Sequence, residues 1–178
     1  MKKVMLLTIF AALMMISSVA VAQTATGTLT VNATVTGSIQ LVFNSDGSGV
    51  ALTSGAGTNT ATLDFGNVSA FGALSSPNII RSVGASSFTV SSAVDVQVNK
   101  TNSASANYTL VAQLGSAPAP NSWTVGGVSV TNTAVSAPIT ATGAYGSNLN
   151  FPVAITIPFT TASGTAITNV ITYTATAN

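Results

Sequence analysis

Few side chains in this sequence could carry out chemistry. The 178 residues include three acidic and four basic side chains, with no histidine and no cysteine. The acids are Asp46, Asp64 and Asp95, and glutamate is absent. General acid–base catalysis needs a group that titrates near neutral pH or a tuned carboxylate, and the Ser-His and Cys-His nucleophile pairs need a histidine. We therefore predict that the protein is not an enzyme and has no catalytic residues.

Sites for metals, cofactors and nucleic acids are equally poorly supplied. The segment 44–49 faintly resembles a calcium loop, but it holds one carboxylate, Asp46, and lacks the later bidentate glutamate. We interpret it as an Asp-Gly turn. Zinc sites need His or Cys ligands, and two isolated bases, Arg81 and Lys100, cannot form a phosphate-binding surface. The sequence predicts no metal, no cofactor and no nucleic-acid partner.

The first 22 residues have the pattern of a secretory signal peptide. Lys2 and Lys3 precede an apolar run over residues 4–16, and the Ala-Val-Ala at 20–22 forms a small-x-small cleavage site. The apolar run is short for a membrane span, which needs about 20 residues. We expect cleavage after residue 22, secretion, and no membrane insertion of the mature chain.

The mature sequence has the composition of a β-protein. Thr, Val, Ile and aromatic residues favour pleated strands, alternation with a period of two recurs, and the helix formers Glu, Lys and Arg are nearly absent. Turn signals separate about seven to nine short runs, which predicts an all-β fold, specifically an immunoglobulin-like β-sandwich.

Individual elements follow from the same pattern. We predict strands at 38–43, 61–65, 87–99, 108–114, 151–159 and 170–177, and a hairpin at 123–130. The segment 108–114 is the expected hairpin partner of 87–99. The segment 151–159 is expected at a sheet edge, because prolines near both its ends cannot donate to a ladder.

The N-terminus of the mature chain alternates most regularly. Thr or Asn occupies the even positions from 24 to 36, and the odd positions include Leu29, Val31, Ala33 and Val35. Gly37 breaks this run, so we divide the mature chain into an arm, residues 23–37, and a domain, residues 38–178. The arm is either an ordinary first strand or a donor strand that fills a groove in a neighbouring copy. In the second case these four side chains, which share one face, form the subunit interface.

Two further groups are candidates for contacts. The C-terminal strand places Ile171, Tyr173 and Ala175 on one face, alternating with threonines. Tyr145, in a Gly-containing turn, is the best exposed aromatic candidate for a ligand contact, for example with a sugar. Trp123 and Tyr173 lie in apolar alternating strands, which favours the core for both.

Several short motifs resemble fimbrial subunits of the chaperone–usher type. The signal peptide followed by LTVNATV at 29–35 and IQLVF at 39–43 is similar to the start of such subunits. The cysteine-free body resembles the colonization-factor class, and LDFG at 63–66 resembles an element of pilin-like and spore-coat-U-like domains. The C-terminal strand is similar to the final pilin strand that a chaperone recognises.

This resemblance implies a structural subunit of a fimbria or pilus-like surface filament, which polymerises by donor-strand exchange and supports adhesion. The expected partners are other copies of the chain or related subunits, with a periplasmic chaperone and an outer-membrane usher. The expected location is the cell surface, reached through the periplasm. The alternative is a monomeric secreted or cell-surface β-sandwich binding module, a glycan binder or surface adhesin.

Overall fold

The computed structural model describes residues 26–178, and the predicted signal peptide and the first residues of the predicted arm lie outside this range. Within it the chain forms nine strands and no helix, which confirms the all-β prediction. The strands are β1 (Ser38–Asn44), β2 (Ile80–Val83), β3 (Ser87–Thr101), β4 (Tyr108–Leu114), β5 (Ser122–Val125), β6 (Val128–Val130), β7 (Thr140–Gly143), β8 (Asn148–Pro158) and β9 (Ile171–Ala177).

The chain divides into two units, one ending at Thr34 and the other running from Val35 to Asn178. In the described part of the first unit, residues 26–34 form no strand, and Leu29 and Val31 expose 88% and 79% of their surface. We call residues 38–178, which contain all nine strands, the body. The division into an arm and a domain after Gly37 stays a prediction.

The body contains two antiparallel sheets. The six-stranded sheet has the order β1-β3-β8-β5-β6, with β2 also paired to β3. Because β1 pairs with residues 95–101 of β3 and β2 with residues 88–91, the two short strands follow one another along the same edge of β3. The three-stranded sheet has the order β7-β4-β9.

One apolar core forms where the alternating strands of both sheets turn their apolar side chains inward. On β3 the even positions Val90, Val94, Val96 and Val98 are buried, and β4 contributes Leu110 from the other sheet. Alternation with a period of two puts every second side chain on one face, so the valine pattern of β3 alone specifies which face is covered. Trp123 is buried in this core, as predicted.

The predicted hairpin between 87–99 and 108–114 is wrong. Both strands form, but β4 pairs with β7 and β9 in the other sheet. The reason is that both edges of β3 are already occupied, one by β1 and β2 and the other by β8. The hairpin at 123–130 is confirmed, since β5 and β6 pair across Gly126 and Gly127.

The predicted edge position of 151–159 is also wrong, because β8 lies between β3 and β5. Pro152 is tolerated there because no bond of either ladder requires an N–H donor at this position. It lies one residue beyond the β5–β8 ladder, which ends at Val153, and its carbonyl accepts the N–H of Gly126 at 2.8 Å. Pro158 is the last residue of β8.

The predicted strand at 61–65 does not form, and the segment shows only an isolated bridge between Ser54 and Thr62. Asp64 accepts the Gly66 N–H at 2.7 Å. Such local side-chain bonds compete with ladder formation, and Gly66 has a φ of 61°, a left-handed conformation that ends an extended run.

Candidate functional site: an open groove between two edge strands

Strands β1 and β9 are the edges of their sheets on the same side of the core. Among the named strands of residues 26–178, β1 pairs with β3 alone and β9 pairs with β4 alone. Phe43 of β1 and Tyr173 of β9 meet edge to face, with ring centroids 5.3 Å apart. The outer edges of the two strands therefore lie on the same side of the core, and we call the space between them the groove; the edge of β1 is bridged at Phe43 by Thr58.

Apolar side chains line the groove without being fully covered. They are Ile39, Leu41 and Phe43 on β1 and Ile171, Tyr173 and Ala175 on β9, and all six pack against the core while staying half-buried. Tyr173 stacks on Phe151 of β8 at 5.9 Å, which forms the floor. Burial raises the pKa of the Tyr173 hydroxyl above its ordinary value.

The backbone of β9 also faces the opening. A residue in an antiparallel strand turns its N–H and C=O to one side, and residues directly opposite each other form the same kind of pair. Leu110 on β4 turns these groups away from β9, since its carbonyl accepts the N–H of Ile139 at 2.8 Å. Its partner Ala175 must then turn its own groups away from β4. The period of two extends this orientation to Tyr173 and Ile171.

The backbone of β1 has the matching orientation. The N–H of Phe43 donates to the carbonyl of Thr58 at 2.8 Å, and the Phe43 carbonyl accepts the N–H of Gly57 at 2.6 Å. Both bonds point away from β3, so Phe43 belongs to a pair that is not hydrogen-bonded to β3. By the same alternation Leu41 and Ile39 turn their N–H and C=O groups to the open edge.

This arrangement suits an extended polypeptide better than a small reactive substrate. The residues with outward backbone groups are the same residues whose apolar side chains face the core. An added strand would therefore meet hydrogen-bonding groups and apolar positions at the two-residue spacing of its own chain. Among the described residues, the lining of the groove contains no carboxylate, amine or guanidinium, and there is no cluster of three metal-ligating His, Cys, Asp or Glu side chains.

The predicted interface residues fall in two places. Ile171, Tyr173 and Ala175 line the groove, and the four odd-numbered arm residues are exposed, with Val35 showing 74% of its surface. Sequence reasoning missed the opposite wall, Ile39 to Phe43, which it treated as an ordinary strand. The available signal was the phase, since these residues continue the odd-numbered alternation of the arm.

Tyr145 is half-buried rather than exposed. Its ring lies against Tyr108 at 5.3 Å, and the Lys100 Nζ is 4.9 Å from its centroid. Its hydroxyl lies 3.1 Å from the Ser105 Oγ and donates to the Asn107 carbonyl at 3.1 Å. These contacts tie the end of β3 to the start of β4, and a ligand contact at Tyr145 stays a prediction.

The remaining charged side chains have local structural partners. Asp95 is buried and accepts hydrogen bonds from Asn148 and Asn150 at 2.9 and 2.8 Å. Asp46 lies in the predicted turn, where hydrogen bonds from the side chain and then the backbone of Ser48 lower its pKa. Arg81 donates to two loop carbonyls.

Comparison with known proteins finds no family model, no curated protein and no solved structure that matches this chain. Within residues 26–178, no helix is long and apolar enough to cross a membrane.

Proposed function

We propose that this protein is a secreted structural subunit of a fimbria or pilus-like surface filament, in which the arm of one copy fills the groove of the next. In this proposal the body is an immunoglobulin-like sandwich that lacks one strand. The observation that carries it is the groove: two edge strands whose apolar side chains are half-exposed and whose backbone groups point into the same opening.

The arm has the pattern that this opening requires. Four apolar side chains recur at every second residue from 29 to 35, matching the four alternate positions 171, 173, 175 and 177 of β9. Antiparallel pairing is slightly more stable per residue than parallel pairing, so we place the arm antiparallel to β9. The resulting opposite pairs are Val35 with Ile171, Ala33 with Tyr173, Val31 with Ala175, and Leu29 with Ala177.

Side-chain sizes support this register. The smallest arm residue, Ala33, lies opposite the largest groove residue, Tyr173, while Val31 and Leu29 lie opposite alanines. Directly opposite residues have Cβ atoms about 4.5–5.5 Å apart, so small–large pairing fills the space evenly. Burying each exposed Leu or Val stabilises the joint by about 1.5–3 kcal/mol. The main-chain hydrogen bonds between the arm and β9 fix the register.

Donor-strand exchange also accounts for the surface chemistry. A chain with so few charges lacks the self-repulsion that keeps copies apart. Assembly outside the cytoplasm by a periplasmic chaperone and an outer-membrane usher, and a role in adhesion, are part of the proposal. The partner that fills the groove is another copy of this chain or a related subunit.

The first experiment compares boiled and unboiled surface-sheared protein on a denaturing gel. The native chain should form a ladder that collapses to a monomer band on boiling. Val31→Asp and Val35→Asp should each abolish the ladder while leaving the body folded, because a carboxylate cannot enter an apolar groove without a large desolvation cost. Thr30→Asp, on the opposite face of the arm, is the matched control and should polymerise normally.

Normal ladders from both odd-position variants would show that the arm is not the joint. A single monomer band from the native chain in both lanes would favour the monomeric binding module instead.

A cysteine pair tests the register. The chain has no cysteine of its own, so a disulfide between introduced residues is unambiguous. Opposite residues in a hydrogen-bonded antiparallel pair have Cα atoms about 5.5 Å apart, within the range of a disulfide. Leu29→Cys with Ala177→Cys should give a polymer that survives boiling without reductant, whereas Leu29→Cys with Ile171→Cys should not. The reverse result would mean that the arm runs parallel to β9.

A further inference from the structure

A second apolar surface lies at the end of the body that is opposite to Ser38, where β1 begins. The end patch consists of Phe71, Val83 and Phe159, which expose 75%, 43% and 43% of their surface. The ring of Phe71 lies 6.5 Å from that of Phe159, which in turn stacks at 6.4 Å on the buried Phe88. Val83 lies opposite Phe88 in the β2–β3 ladder. The patch is therefore an outward continuation of the core.

The loop that carries Phe71 is held in place from below. The Arg81 Nη1 donates to the carbonyls of Ser69 and Gly72, both at 3.0 Å, and so clamps the loop on either side of the exposed ring. Arg81 is one of two basic side chains in residues 26–178. An exposed phenylalanine on a pre-ordered loop is suited to binding, because less ordering entropy is lost when a partner covers it.

The direction of the strands defines the two ends of the body. The arm leaves the body at Ser38, which lies opposite Thr101, and β9 ends beside the start of β4 at the same end. The end patch lies where β3 begins and β8 ends, as the pair Ser87 and Pro158 shows. An arm antiparallel to β9 would enter the groove at Ala177 and leave it past Ile171, toward the end patch.

The segment that leads into β9 lines a cavity next to the end patch. A cavity of about 280 Å³ lies between the loop residues 68–70 and the segment 161–167 that leads into β9. Its floor includes Phe88 and Ile157, and Phe159 of the end patch lines it. This cavity therefore brings apolar side chains, mixed with hydroxyl groups such as that of Thr161, up to the edge of the end patch.

The connection between the arm and its own body is too short to hold two bodies apart. Two residues, Thr36 and Gly37, separate Val35 from Ser38, which allows a span of about 10 Å. Gly37 also packs tightly on the turn after β3, where an added Cβ would lie 2.7 Å from the Asn102 carbonyl oxygen. The body that supplies the arm must therefore lie against the exit side of the body that receives it.

We propose that the end patch is a second contact between neighbouring copies, covered by the turn at residues 100–106 of the copy whose arm fills the groove. This inference rests on the proposed donor-strand polymer. The patch would fix the angle between successive bodies, while the arm would supply most of the affinity. Phe71 would be buried in the polymer and exposed in the monomer.

Thiol labelling tests the inference on the full chain. Phe71→Cys and Ala104→Cys each place one thiol on an exposed residue of the two surfaces, and Ser129→Cys on β6 is the matched control. Intact polymer is treated with a maleimide reagent, quenched, boiled and resolved as monomer. Labelling at 71 and 104 should be at least about tenfold slower in polymer than in the non-polymerising Val31→Asp background, because thiol reactivity depends on exposure. Labelling at 129 should be unchanged.

The possible outcomes distinguish a failure of the end contact from a failure of the donor-strand proposal. Polymer that forms normally but labels at 71 as fast as the monomer would overturn the end contact and leave donor-strand exchange standing. Protection at 71 with free labelling at 104 would overturn the assignment of the turn 100–106 as the covering surface. Absence of polymer from every chain, the control included, would remove both proposals.

Discussion

Strands β4 and β9 lie side by side with the same alternation, and yet their inward side chains differ in how deeply they are buried. Leu110, Ala112 and Leu114 of β4 are almost completely buried, whereas their partners Ala175, Tyr173 and Ile171 on β9 are half-buried. A clear difference in their setting is the number of neighbouring strands. β4 has a strand on each side, and β9 has one. An alternating sequence thus sets which face points inward, and the number of neighbouring strands sets how well that face is covered.

The largest expected effect comes from shortening a fully buried side chain on β4, the interior strand of this pair. Leu110→Ala should lower the free energy of unfolding by about 2–5 kcal/mol, because it leaves a cavity in a fully packed site. Ile171→Ala, on the adjacent edge strand, removes less buried surface and should lower it by no more than half as much. Chemical denaturation of both variants measures the difference. Equal losses would mean that β9 is as well covered as β4.

Adding the absent strand should remove the difference. A synthetic peptide of residues 28–36, present at 100 times its dissociation constant, should stabilise a full-length chain carrying Val31→Asp by about 2.7 kcal/mol. The same peptide with Val31→Asp is the control and should have no effect, since its charge cannot enter the groove. Thermal unfolding at several peptide concentrations measures the shift. Identical curves with both peptides would argue against an open acceptor site.

The outward face of an interior strand offers a third test. Asp95→Ala should lower the free energy of unfolding by about 1–3 kcal/mol, because the amides of Asn148 and Asn150 lose their buried acceptor. Thr172→Ala, an exposed outward position on β9, should change it by less than about 0.5 kcal/mol. Denaturant titration compares the stabilities of the two variants. An unchanged free energy of unfolding in Asp95→Ala would mean that water readily replaces the carboxylate as the hydrogen-bond acceptor.

The smallest expected effect is a gain. The Tyr108 hydroxyl is buried without a hydrogen-bond partner in the described chain, and burial raises its pKa. Tyr108→Phe removes this uncompensated polar group and should raise the free energy of unfolding by about 1 kcal/mol. Tyr145→Phe, which removes a hydroxyl that is bonded to Asn107, should instead lower it. A loss of stability in Tyr108→Phe would show that an ordered water serves the hydroxyl.

Particular elements show how far sequence reasoning reached. The strands at 38–43, 87–99 and 170–177 were predicted nearly to the residue, because strict alternation between flanking turn residues is a local signal. The strand at 61–65 was not, since its alternation was overridden by the Asp64 side chain and a left-handed Gly66. Which strands pair with one another could not be predicted from local signals. Placing β4 away from β3, and β8 at the centre, required knowing which edges were already occupied.

Only part of the candidate site could be predicted from the sequence. The arm and the C-terminal strand could be named from the sequence, because each carries its own apolar phase. Their relation to β1 could not, since the groove exists only where the edges of two different sheets meet, and residues 39–43 and 171–175 are far apart in the chain. The end patch was equally hidden, because Phe71 and Phe159 become neighbours only through the fold.

The sequence by itself determined that this protein is all-β, nearly free of charge and without the groups of most enzyme mechanisms. Composition and a period of two residues are local properties, so they need no folded chain to be read. Only the tertiary structure decided which strands would be interior and which would be edges. That choice depends on competition for a limited number of backbone hydrogen-bonding edges across the whole sheet, and two of the strands without a second partner, β1 and β9, define the groove.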